Sequence, residues 1–151
     1  MKKELNEGRV SVVLGPVVDV RFDTQMPKIY EKILVDTGDG FVSLEVMAHV
    51  PPSTARCISL EPSEGLSRGM RAYGTGHSIS VPVGEKVLGR VMNVLGEPID
   101  GKGEIGAETH RSIHRKAPEF YEQRSGVSVL ETGIKVIDLM APYLRGGKIG
   151  L

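Results

Sequence analysis

The sequence predicts a small all-β domain, a closed barrel or sandwich over residues 9–80, followed by the incomplete start of an α/β unit over 81–151. Three observations predict this. Short apolar–polar alternations recur at intervals of roughly ten residues from Val10 to Val83, with turn chemistry between them. The pattern changes at Val81-Pro82-Val83-Gly84, and a helical period follows only near Thr132. Finally, 130–151 reads LETGIKVIDLMAPYLRGGKIGL: a short helical pattern, a turn, and the first residues of an apolar strand entered through Gly146-Gly147 and led by Ile149. Nucleotide-binding α/β units commonly begin with such a strand.

The first element is an alternation. Val10, Val12, Leu14, Pro16, Val18, Val20 and Phe22 share one parity, while Ser11, Asp19 and Arg21 take the other. That is one strand, or two sharing a dry face, with a bend rather than an end expected at Gly15-Pro16. Ile33 to Val35 and the alternating Val42, Leu44, Val46, Ala48 and Val50 flank Thr37-Gly38-Asp39-Gly40, which predicts a hairpin. Further short strands are expected at 55–60, 70–73 and 79–83, with a glycine-containing turn at 74–76. Closing them into a barrel would remove exposed edges. Residues 1–8 read as a tail.

From Glu85 a helical turn leads into Arg90 to Leu95, bounded by Gly89 and Gly96. Residues 101–128 are polar and irregular, the composition of a loop that wraps over a neighbouring surface. The helix is expected to start at Thr132 as N-cap, with Ile134, Ile137 and Ala141 on one stripe, and to end at Pro142. The domain boundary falls near residue 80.

Composition excludes several classes. The 151 residues are 40% apolar and 25% charged, as in soluble globular proteins. The 19 glycines are nearly double the usual share of ~7%, which calls for many tight turns. Nineteen basic residues balance nineteen acidic ones, so no basic surplus drives binding to nucleic acid or anionic lipid. The single cysteine, Cys57, excludes an internal disulfide framework. No apolar run approaches the ~20 residues of a membrane span, and MKKELNEGRV lacks the apolar core of a secretory signal. A cytoplasmic protein is expected.

Candidate chemistry is sparse. His110 and His114 stand four apart, a metal-ligand spacing on a helix, but no third ligand accompanies them and Arg111, Arg115 and Lys116 oppose a cation. Surface or interface roles are expected. Cys57 reads as a packing residue, and Glu97 and Asp100, in EPIDG, as turn residues. The run GKGEIG satisfies the bare GxGxxG spacing at Gly101, Gly103 and Gly106 without the strand-then-helix context that dinucleotide binding needs. GxxxxGK[ST] is absent, and Gly146-Gly147-Lys148 is followed by Ile149 where a hydroxyl residue would stand.

Five blocks together are specific: GPVVDVRF (15–22), GLSRG (65–69), ISVPVGEKVLGRVMNVLGEPIDGKGEI (79–105), IHRKAP (113–118) and ETGIKVIDLMAPYLRGGKIGL (131–151). In order and spacing the chain resembles the catalytic β-subunit family of F-type ATP synthase, from Gly8 onward. It departs from that family at Gly74-Thr75-Gly76 and Ser78-Ile79. The resemblance implies a six-stranded Greek-key-like barrel in the crown of an α3β3 ring, then a RecA-like domain whose phosphate loop would follow Leu151. It implies α and β subunits as partners through the barrel, with central-stalk contacts made by other regions. It also implies a peripheral place on the inner face of an energy-coupling membrane, without insertion, and MgATP or MgADP as cofactor of the full-length subunit only. No catalytic, cofactor-binding or metal residue is assigned here, and this stretch is expected to be inactive alone. The alternative is a self-contained β-barrel interaction module without nucleotide chemistry.

Overall fold

The computed structural model describes residues 6–122 and 126–150. Six antiparallel strands, β1 (Asn6–Leu14), β2 (Val17–Phe22), β3 (Glu31–Asp36), β4 (Phe41–Val50), β5 (Thr54–Ser59) and β6 (Arg71–Ser78), close into a barrel. The order around it is β1-β2-β5-β4-β3-β6. Strands β3, β4 and β5 form a meander and β2 returns beside β5, which is a Greek key. The interior is filled by Val10, Val18, Val20, Phe22, Ile33, Val35, Leu44, Val46, Ala55, Cys57 and Ala72, none more than 2% exposed. Mostly β-branched or small, these side chains suit the interior of a narrow barrel, each large one stabilising it by about 1.5–3 kcal/mol.

Five local expectations are corrected. Gly15-Pro16 is the two-residue turn of a β1–β2 hairpin, an end and not a bend, with Gly15 at φ 57°. A bulge between Val10 and Val12 shifts the register, so Val12 and Leu14 face out and Val13 packs on the core instead. A second bulge, between Val46 and Ala48, likewise turns Ala48 outward. Residues 74–76 are no turn: β6 runs through them, and the buried Glu31 carboxylate accepts the Gly76 and Lys28 N–H groups at 2.9 Å each. Asn6 to Gly8 lie within β1, where Glu7 and Gly8 pair with Tyr73 and Ala72, so the expected tail is shorter than residues 1–8; 1–5 lie outside the described residues.

Beyond the barrel, β7 (Ser80–Val83) pairs antiparallel with β8 (Thr109–Ser112), and a 3-10 turn spans Glu85–Val87. Between them 89–105 folds as a loop closed by one bridge, Met92 to Pro98, and buries Ile105. Contacts divide the chain into units 1–115 and 116–151. The expected boundary near 80 therefore marks the barrel's end, whereas 79–115 pack in the barrel's own unit.

The second unit holds a short 3-10 turn (Phe120–Glu122), β9 (Val129–Leu130), the six-residue helix α1 (Lys135–Met140) and β10 (Tyr143–Leu144), with β9 and β10 paired. The helix cap is Ile134, not Thr132. The Thr132 hydroxyl instead accepts the Ile134 N–H at 3.1 Å and donates to Asp138 Oδ1 at 2.7 Å, which starts the helix two residues later. The expected strand led by Ile149 does not form over 148–150; a strand needs a partner, and the pairing in this unit is taken by Tyr143 and Leu144.

Candidate functional site

The outer wall of β1, β2 and β5 carries the most organised exposed surface. Residues in register on neighbouring strands point to the same side. Val18, Val20 and Cys57 point inward, so Val17, Asp19, Arg56 and Ile58 point outward. Register sets Leu14, Val17 and Ile58 in one row and Val12, Asp19 and Arg56 in the next. Leu14 is 66% exposed, Val12 41% and Ile58 39%. Among them Arg56 donates from Nε to Asp19 Oδ1 at 2.8 Å and from Nη2 to Oδ2 at 2.9 Å. The guanidinium holds the Asp19 carboxyl below its ordinary value against partial burial. A largely apolar strip around an internally neutralised pair has the make-up of a protein-contact surface.

A second cluster joins the 79–115 excursion to the barrel. The Ser78 and Ser112 hydroxyls meet at 2.8 Å, and Ile113 N–H donates to Ile79 O at 3.1 Å. His114 then places Nε2 2.7 Å from Glu45 Oε1, and its ring stacks on Tyr30 with centroids 4.0 Å apart.

Residues 10–76 match the β-barrel domain of the ATP synthase alpha/beta family. That span runs from β1 into β6 and so takes in all six barrel strands. The barrel belongs to this family.

The residues singled out in the sequence fall around the alpha/beta-family barrel as follows. His110 and His114 are not on a helix: His110 is an exposed residue of β8 opposite Pro82, and His114 lies two residues past its end. Among the described residues no three His, Cys, Asp or Glu side chains are grouped to hold a metal. Cys57 lines the barrel interior, where burial, with Asp19 adding, pushes its thiol up to about 12. An inert packing residue results.

Glu97 and Asp100 both serve turns. Asn93 Oδ1 accepts the Leu95 and Glu97 N–H groups, and its Nδ2 donates to Glu97 Oε2 at 2.8 Å. Asp100 takes Arg90 in a two-point pair, Nε to Oδ2 at 2.7 Å and Nη2 to Oδ1 at 3.0 Å. Gly101, Gly103 and Gly106 lie in the loop after this pair, with neither strand before nor helix after them. Gly147 closes a turn on the Leu144 carbonyl at 3.0 Å.

Surface clefts along this excursion are shallow. One lies between β7 and 107–109, with the Lys86 to Glu108 pair at 3.1 Å on its wall; another is lined by Pro82, Glu97, Ile105 and His110. Neither gathers a nucleophile with a base. Among the described residues, no helix is long and apolar enough to cross a membrane.

The sequence left Asp19–Arg56, Tyr30, Glu45 and Arg90 unmarked. Their partners are 37, 84, 69 and 10 residues away in the chain, and no local spacing announces such a pairing.

Proposed function

We propose that this chain is the N-terminal part of an F-type ATP synthase β subunit, and that its barrel docks side by side with α and β barrels in the ring that carries catalysis. The observation that carries the reading is the closed Greek-key barrel matched to the alpha/beta family over 10–76, followed by LGRVMNVLGEPID and ETGIKVIDLMAP. The strip of Val12, Leu14 and Ile58 supplies a docking wall. Nucleotide chemistry belongs to the full-length subunit, with Mg-bound ATP or ADP as its cofactor. Phosphoryl transfer depends on positioning by a phosphate loop and metal, and residues 1–151 hold no GxxxxGK[ST]. The assembled enzyme would lie on the inner face of an energy-coupling membrane.

Co-expression with α and β subunits tests the reading. Native mass spectrometry should find the chain incorporated in ring species, and Leu14→Glu with Ile58→Glu should abolish incorporation while the barrel still melts cooperatively. Titration calorimetry of the chain with MgATP should give no heat of binding. Failure of the unaltered chain to enter any ring, or micromolar nucleotide affinity, would sink the proposal.

A further inference from the structure

His114 is the last side chain fastened within the first unit, since the contacts divide after Arg115. It is held by groups from two separated places: Tyr30, in the turn before β3, and Glu45, on the outer side of β4. We propose that Tyr30 and Glu45 form a socket for the His114 imidazole, a strap that fixes the end of the 79–114 excursion to the barrel and can be released without opening the barrel.

Tyr30 sits at φ 67°, in the left-handed region where a side chain is strained and glycine or asparagine is the ordinary occupant. Its N–H donates to Val46 O at 2.7 Å, which pins the turn against β4 whatever the side chain. The phenol ring contributes nothing to the core; it is 42% exposed and lies against the imidazole at an interplanar angle of 19°. A tyrosine at such a position is accounted for by the stacking partner its ring meets. Glu45 is only 8% exposed although it points away from the core, and a carboxylate so covered requires a hydrogen-bond donor, which His114 Nε2 provides at 2.7 Å.

The socket is separable from barrel closure. Neither Tyr30 nor His114 pairs in the barrel ladders, and the side chains of all three lie outside the core cluster. Ser112 is fastened by the β7–β8 ladder and by its hydroxyl pair with Ser78, and past it the segment is tied by the Ile113 to Ile79 bond and by the socket.

Hydrogen exchange on the full chain tests this, with alkylation of the barrel-interior Cys57 as an independent report of barrel opening. His114→Ala should speed amide exchange over 113–115, past the end of β8, by about tenfold, the effect of losing one charge-assisted hydrogen bond. Tryptic cleavage after Arg115 should rise in step, while exchange over 10–76 and Cys57 labelling stay unchanged. Tyr30→Gly should free the same segment without lowering the barrel's melting temperature, because glycine accepts the left-handed backbone unstrained. In the double variant the two effects should not add. Unchanged exchange over 113–115 in His114→Ala, additive effects in the double variant, or barrel protection lost in parallel with the strap in both single variants would each overturn the proposal.

Discussion

Arg90 organises the 89–105 loop through a single carboxylate. Its two-point pair with Asp100 is largely covered, the side chains being 14% and 7% exposed, and it also donates to the carbonyls of Gly103 and Glu104. Asp100 accepts in addition the N–H groups of Val91 and Lys102. The Arg90 guanidinium, aided by those two N–H groups, holds the Asp100 carboxyl well below the usual carboxylate range against the opposing effect of burial. A depressed folded-state value means that the stabilisation is fully present above the unfolded aspartate value of about 3.9 and is lost as pH falls through the folded one. The 89–105 loop should therefore keep its protection from proteolysis at pH 5 and lose it only in strong acid. Asp100→Asn should expose the loop at neutral pH, and proteolysis followed by mass spectrometry reads both. Loop cleavage unaffected by Asp100→Asn would remove Arg90–Asp100 from this role. EPIDG was legible as a turn because Pro and Asp-Gly act locally. The partner of Asp100 was not, because Arg90 reaches it through loop geometry that follows no period.

At the scale of elements, the barrel's hairpins were legible and its irregularities were not. Asp-Gly between two alternating runs fixes the β3–β4 hairpin from sequence alone. The bulges after Val10 and Val46 leave no trace, since Val12, Leu14 and Ala48 continue the apolar parity past the point where the strand flips face. The same flips give β1 its apolar outer residues, so the exposed apolar strip was hidden by the feature that creates it. The β1–β2 contact also depends on Gly8. A Cβ there would stand 2.6 Å from the Arg21 carbonyl oxygen and 2.8 Å from the Phe22 ring, closer than carbon atoms pack. Gly8→Ala must push β1 off β2 or tilt the buried Phe22, and overpacking of this kind costs about 1–3 kcal/mol. Denaturant melts should show that loss, whereas Gly40→Ala, with nothing within 4 Å, should leave the midpoint nearly unmoved. Equal midpoints for the two variants would mean that the β1–β2 approach is not tight.

The two units of the chain bury apolar surface in opposite ways, and that contrast sets how the whole molecule should open. Closure gives every barrel strand two neighbours, so its amides can exchange only through disruption of a shared core. In the second unit α1 has six residues and no buried side chain, and Ile134, Val136, Leu139 and Met140 are all more than half exposed. An isolated helix shorter than ~12 residues is marginal in water, and a two-residue strand pair adds little. Thr132 and Asp138 brace its first turn, and their mutual hydrogen bonds hold the Asp138 carboxyl below its ordinary value, yet they supply no apolar burial. The apolar pattern of 130–150 was legible as a helix and a strand because pattern reports what a segment can bury. Whether it buries it depends on neighbours that the pattern does not specify. Native-state hydrogen exchange should accordingly split the molecule. Amides of β1 to β6 should exchange only with global unfolding and slow further as stabilising salts strengthen burial. Those of 129–144 should exchange orders of magnitude faster and be nearly indifferent to the same salts. Uniform slow exchange across both units in the chain alone would show that α1 and the β9–β10 pair draw on a core of their own, contrary to the exposure of their side chains.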